Sequence, residues 1–136
     1  MSIRKQILEI PAFESVLPMM RITPGIQQTL TAIDADPGLS WTLKRMAEVA
    51  GISRSSFAQK FKEQIGTTPR DHLLNVRMRR AEMLMKDGRQ QLKMIARLIG
   101  YRSVSAFSTA YKRWAGKTPR QHRKLLNRES GSSGSS

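Results

Sequence analysis

The chain of 136 residues contains no cysteine, few aromatic residues and few acidic residues. Without cysteine it has no disulfide framework and no thiolate metal site, which fits a reducing compartment. No apolar run approaches the roughly 18 residues that a membrane span requires, and the N-terminus lacks the charged start, apolar stretch and cleavage site of a secretory signal. These absences predict a cytoplasmic protein with no membrane span.

Basic residues are abundant and unevenly placed: 24 Lys and Arg stand against 10 Asp and Glu, for a net charge of +14. From Trp41 to Leu126 the chain holds 20 basic and 5 acidic residues, and the remainder is close to neutral. A compact domain this basic repels itself, and a polyanionic partner would relieve the repulsion. Nucleic acid is the first candidate partner and an anionic membrane surface is the second.

Two stretches of the chain, 51–72 and 100–122, are related copies. Each copy, with the residues just before it, indicates a short helix, a turn at glycine, a longer amphipathic helix closed by a second glycine, and a Thr-Pro start for the next helix. The matched pairs are Ala47 with Ala96, Gly51 with Gly100, Phe57 with Phe107, Phe61 with Tyr111, Gly66 with Gly116, Pro69 with Pro119, and His72 with His122. This order of elements predicts a helix-turn-helix in each copy.

The signals along the whole chain predict an all-α fold with about seven helices. Residues 1–22 contain two prolines and no clear period, which indicates a linker or docking segment. The folded domain is expected over 23–127, with a first helix-turn-helix at about 42–66, a linker helix at about 69–86, a second helix-turn-helix at about 92–116 and a last helix at about 119–126. Residues 128–136, which end in SGSSGSS, predict a flexible tail or a cloning scar.

Within each copy the longer helix has one apolar and one polar face. Phe57, Phe61 and Ile65 recur every four residues in the first copy and should face inward, as should Phe107, Tyr111 and Trp114 in the second. Ser53 and Ser103 are placed to cap these helices. The opposite faces carry polar and basic residues, so each helix could enter a major groove.

The remaining chemistry-bearing residues indicate no catalysis. The acidic residues form no paired-carboxylate spacing on one face, and no glycine-rich phosphate loop or serine nucleophile motif is present. His72 and His122 occupy the same place in each copy, so a shared packing or phosphate-contacting role explains both. The methionines at helical apolar positions are interpreted as core filler (Met46, Met78, Met83, Met85, Met94). We therefore expect no enzyme, no catalytic residue, no metal site and no cofactor.

The two copies together resemble the DNA-binding domain of the AraC/XylS family of bacterial transcription regulators. The residues that carry the resemblance are GISRSSFAQKF with IGTTPRDHLLNVRMRRAEMLM, and IARLIGYRSVSAFSTAYKRWAGKTPRQHR. The resemblance implies two helix-turn-helix subdomains joined by a long central helix, which bind adjacent major grooves of promoter DNA. It also makes RNA polymerase a candidate partner. No heptad pattern or other dimerisation device is visible, so we expect a monomer on DNA.

Residues are assigned to the interface by position in the family pattern. The resemblance implies base contacts from the exposed face of each longer helix, namely Ser55, Ser56, Ala58 and Gln59 in the first copy and Val104, Ser105, Ser108 and Thr109 in the second. Phosphate contacts are expected from neighbouring cations, namely Arg54, Lys60, Lys62, Arg102, Lys112 and Arg113.

The second helix departs from the family pattern, because it offers only Val, Ser and Thr where long polar or basic side chains are common. It has no Arg or Gln for a bidentate base contact, although Val104 could sense a thymine methyl group. Two alternatives to a sequence-specific regulator stay open at this point. One is a non-specific architectural DNA binder, and the other is a module that binds a partner or a membrane surface.

Overall fold

The computed structural model describes residues 22–135, with side chains as far as 128. Every regular element in this range is a helix, which confirms the predicted all-α fold. The helices are α1 (Pro24–Ala35), α2 (Leu43–Ala50), α3 (Arg54–Ile65), α4 (Pro69–Asp87), α5 (Leu92–Leu98), α6 (Val104–Ala115) and α7 (Pro119–Ser135). The predicted linker or docking segment over 1–22 lies outside the described residues, apart from its last residue.

The described chain divides into two compact units. The first holds residues 22–32 and 42–72, and the second holds residues 33–41 and 73–135. The long helix α4 begins in the first unit and continues into the second, as the prediction of a central linker helix requires. The first unit contains α2 and α3, and the second contains α5 and α6, so each unit holds one helix-turn-helix.

Hydroxyl side chains begin most of these helices at the predicted places. Thr42, Ser53 and Ser103 each have extended backbone geometry and accept a hydrogen bond from the backbone N–H three residues later. Thr68 and Thr118 accept the same bond at the starts of α4 and α7. Such caps satisfy backbone donors that have no partner inside the helix, and each contributes about 1 kcal/mol. The Thr-Pro signals therefore set where α4 and α7 begin.

The last helix is longer than predicted. Its end was expected near 126, with a flexible tail from 128, but α7 continues to Ser135. No proline interrupts this stretch, and a helix can continue without an apolar face where backbone hydrogen bonding is preserved. The end of apolar periodicity was therefore a poor guide to the end of the helix. The domain boundary at 127 stays a prediction.

The core of the first unit is built on two aromatic rings of α3. Phe57 and Phe61 are fully buried, with ring centroids 5.5 Å apart. From α1, Ile26 and Thr29 are also fully buried. The Thr29 hydroxyl lies 3.3 Å from the carbonyl oxygen of Met46 in α2 and can donate to it, so this polar group is satisfied inside the unit.

The core of the second unit joins one face of α4 to α5 and α6. Its buried members are Met78, Ala81, Met85, Ile95, Ala96, Ile99, Phe107 and Tyr111. The interpretation of the methionines is confirmed for Met46, Met78 and Met85 but is wrong for Met83 and Met94, whose exposed fractions are 65% and 42%. Met83 lies two residues from both Ala81 and Met85, and this spacing puts it on the opposite side of α4.

Arg77 of α4 closes the second unit against the loop that precedes α2. Its Nε donates to the carbonyl oxygen of Pro37 at 2.8 Å, and its Nη2 donates to that of Leu39 at 2.9 Å. The guanidinium also lies 5.8 Å from the centre of the Tyr101 ring. Burial lowers the pKa of Arg77 and raises that of Tyr101, while the attraction between the two side chains opposes both shifts. Arg77 is therefore a structural residue.

We predict that small side chains are required at Ala47 and Ala96. Both residues are 2% exposed, so Ala47→Leu or Ala96→Leu should overpack its unit and lower the free energy of unfolding by about 1–3 kcal/mol. Urea denaturation followed by far-UV circular dichroism measures the change. The same exchange at the exposed Ala106 is the matched control and should cost less than about 0.5 kcal/mol. Equal midpoints for all three variants would contradict the packing argument.

Candidate nucleic-acid interface

Helix α3 presents part of the predicted first-copy set on the side away from its buried rings. Of the base-reading candidates, Ser55 and Gln59 are exposed, whereas Ser56 and Ala58 are partly buried. The expected phosphate-contacting residues of this copy, Arg54, Lys60 and Lys62, are all exposed. The short side chains lie towards the N-terminal end of α3, where they would let the backbone approach base edges closely. The role of each residue in DNA binding stays a prediction.

Gln59 is held by a neighbour that sequence inspection had not singled out. Its Nε2 donates to Oε2 of Glu63 at 3.2 Å, one helical turn further along α3. An amide group bonded in this way keeps one N–H and its carbonyl oxygen for other partners, which is the pair that a bidentate contact with adenine uses. The spacing of four residues between Gln59 and Glu63 was the signal that could have predicted this contact.

Helix α6 is arranged in the same way in the second unit. Ser105 and Thr109 are exposed, and Val104 and Ser108 are partly buried. The cations expected to contact phosphates, Arg102, Lys112 and Arg113, are exposed. Phe107 and Tyr111 are fully buried on the opposite face, with ring centroids 5.7 Å apart. The division of α6 into an inward and an outward face is therefore confirmed.

The hydroxyl group of Thr109 is already used inside α6. Its Oγ1 donates to the backbone carbonyl oxygen of Ser105 at 3.1 Å. Threonine within a helix often makes this bond to the carbonyl four residues earlier. A polar residue on the exposed face is consequently not always a free hydrogen-bond donor. The sequence alone did not show that the Thr109 hydroxyl makes this internal hydrogen bond.

Polar bonds beneath α6 fix it to α7 and α4 of the same unit. The Tyr111 hydroxyl is hydrogen-bonded to Nδ1 of His122, and the indole Nε1 of Trp114 donates to Oδ1 of Asn75 at 2.8 Å. Burial raises the pKa of Tyr111, and the nearby carboxylate of Glu82 adds to the rise. The raised pKa keeps the phenol protonated, so its hydroxyl group is available for the hydrogen bond with His122.

The packing role predicted for the two histidines is confirmed in both units. His72 meets the ring of Phe61 edge-on, with centroids 5.5 Å apart, and His122 lies 5.8 Å from the ring of Tyr111. Nε2 of His122 lies 3.9 Å from a carboxylate oxygen of Glu82. The part of the prediction that gave the histidines a phosphate-contacting role remains untested.

Between residues 22 and 128 no group of three or more His, Asp or Glu side chains is placed to hold a metal ion. No helix of the described chain is long and apolar enough to cross a bilayer.

Known proteins share both the sequence pattern and this arrangement of helices. A family model described as a helix-turn-helix domain matches residues 46–125. A Streptomyces lividans protein described as an AraC-like transcription regulator is 38% identical over 101 residues, which cover 74% of this chain and 33% of that protein. The RCS-specific HTH-type transcriptional activator RclR of Escherichia coli is 32% identical over 129 residues, which cover 93% of this chain and 44% of RclR.

A solved structure has the same arrangement of helices. The DNA-binding domain of AdpA, a global transcriptional factor solved in complex with a target DNA, matches with a TM-score of 0.75. The match has 20% sequence identity and covers 79% of this chain and 96% of that one. At this identity the likeness establishes the arrangement of the helices and nothing finer.

The helices and their exposed faces thus define a protein of the helix-turn-helix class. More narrowly, the chain belongs to the AraC/XylS family of transcription regulators, as the sequence resemblance implied. It spans less than half the length of the two relatives described, at 33% and 44%.

We predict that the bond between Tyr111 and His122 stabilises the second unit. Tyr111→Phe should lower the free energy of unfolding by about 1–2 kcal/mol, because the partly buried imidazole loses its hydrogen-bond partner. Both tryptophans, Trp41 and Trp114, lie in this unit, so their fluorescence in urea measures its unfolding.

A double-mutant cycle with His122→Ala separates the bond from the loss of packing. In the His122→Ala background, Tyr111→Phe should lower the free energy of unfolding by at least about 0.5 kcal/mol less than it does in the wild type. A coupling energy near zero would mean that the two side chains contribute independently.

Proposed function

We propose that this chain binds double-stranded promoter DNA sequence-specifically and regulates transcription, with α3 and α6 in adjacent major grooves. The main support is that α3 and α6 each carry exposed polar and basic residues as well as a fully buried aromatic pair. The chain also belongs to a family of transcription regulators. A major groove about 12 Å wide admits a helix. The chain would act by binding DNA and not by catalysis. It would work at the nucleoid in the cytoplasm and bind DNA as a monomer. RNA polymerase would be a further partner at the promoter.

Within this proposal the two kinds of side chain have different tasks. The cations that flank α3 and α6 would neutralise phosphates and hold both helices in register, whereas the exposed faces of α3 and α6 would read base edges. Each neutralised phosphate lowers the logarithm of the binding constant by about 0.9 per tenfold rise in salt. The six expected phosphate contacts therefore imply a salt slope of about −5.

Selection of bound duplexes from a randomised pool at about 150 mM salt tests sequence-specific binding. The expected result is an enriched sequence with two blocks about 10 base pairs apart, since major-groove faces recur once per helical turn. Footprinting of the winning duplex then defines the bound stretch. If no sequence is enriched and random DNA competes equally, the chain is a non-specific architectural binder and the proposal is wrong.

We predict different effects for two adjacent exposed residues of α3. Gln59→Ala should remove a base contact, relax the preference at one or two base pairs and weaken binding to the best site by about 1–3 kcal/mol. Lys60→Ala is the matched control for a phosphate contact and should weaken all sequences alike, with the salt slope reduced by about 1. Both effects are measured by fluorescence anisotropy over a salt series. Uniform weakening by Gln59→Ala would assign that residue to the phosphate backbone instead.

A further inference from the structure

The two helices proposed to read DNA differ in the chemistry of their exposed faces. Helix α3 carries Gln59, whose amide can donate and accept at one base. At the corresponding positions α6 carries only Val, Ser and Thr. None of these can make two parallel hydrogen bonds to a base edge, so α6 needs another means of discrimination.

Thr109 lies near the middle of the exposed face of α6. Ser105 is four residues earlier on the same side of the helix, and Phe107 and Tyr111 are buried on the opposite side. The Thr109 hydroxyl has one hydrogen, and this hydrogen is donated to the carbonyl oxygen of Ser105 at 3.1 Å. What remains for a partner is a methyl group and an acceptor oxygen, with no donor.

This loss of a donor restricts which bases Thr109 can contact. In the major groove guanine presents only acceptors, at N7 and O6, so Thr109 cannot bond to it while the internal bond is kept. Thymine presents a C5-methyl group there, which is the one apolar group among the four standard bases.

We propose that α6 selects thymine by apolar contact between the C5-methyl group and the methyl group of Thr109. This inference rests on the proposed function, because it assigns a mode of readout to the same interface. Burial of apolar surface stabilises a contact without directional bonds. Burial of one methyl group strengthens binding about fourfold. The operator half contacted by α6 should therefore contain a thymine at the position that faces Thr109, and binding should depend on the methyl group of that thymine.

Replacement of thymine by deoxyuridine removes only the C5-methyl group and keeps every hydrogen-bonding atom. In the duplex selected by the wild-type protein, each thymine is replaced in turn and the dissociation constant is measured. We expect about fourfold weaker binding for each contacted thymine in the block assigned to α6. A block without thymine, or a block in which no deoxyuridine weakens binding, would overturn the inference.

Two variants of Thr109 separate its methyl group from its hydroxyl. Thr109→Ser keeps the hydroxyl and removes the methyl, so it should weaken binding about fourfold and abolish the effect of one deoxyuridine. Thr109→Val keeps a methyl and removes the hydroxyl, so its binding should stay sensitive to the same deoxyuridine. The reverse pattern would show that the hydroxyl reads the base and would overturn the inference.

Failure of this inference differs from failure of the proposed function. If the wild type prefers its selected duplex to random DNA but ignores deoxyuridine, methyl recognition is wrong and sequence-specific binding stands. If no duplex is selected at all, both are wrong. Thr109 is exposed, so neither variant should change folding, and circular dichroism of both proteins verifies this.

Discussion

The burial of one aromatic pair beneath each longer helix is the constraint on which the candidate interface depends. Phe57 with Phe61, and Phe107 with Tyr111, are 0% exposed at a spacing of four residues, which keeps each pair on one face. Rotation of either helix about its axis would expose two large apolar side chains, at a cost of about 1.5–3 kcal/mol each. The outward face is therefore set by the core, and its polar residues can vary without loss of the fold.

Several basic side chains also have a structural role. Arg77, Arg80 and Arg123 donate to the backbone carbonyl oxygens of Pro37, Asp34 and Gln90, within the second unit. Each guanidinium group therefore uses at least one of its five N–H donors to satisfy an acceptor at a loop or helix end. A count of charges in the sequence does not reveal this use.

Local rules in the sequence predicted the helices well because the determining contacts are local. Caps at Thr42, Ser53 and Ser103 and aromatic residues every four positions act within one or two turns. The contacts of Arg77 and Asn75 join segments about forty residues apart. No repeating pattern in the sequence predicts contacts of this kind. Of the base-reading residues that the family pattern suggested, Ser55, Gln59, Ser105 and Thr109 are exposed and the other four are partly buried. The pattern carried no information on which donors are engaged inside the helices.

Specificity at such an interface depends on what remains after internal hydrogen bonds are made. Gln59 loses one donor to Glu63 and keeps a pair of groups that suits adenine, whereas Thr109 loses its one donor to the backbone and keeps a methyl group. Two helices related by duplication can therefore read different chemistry, one by directional bonds and the other by apolar contact.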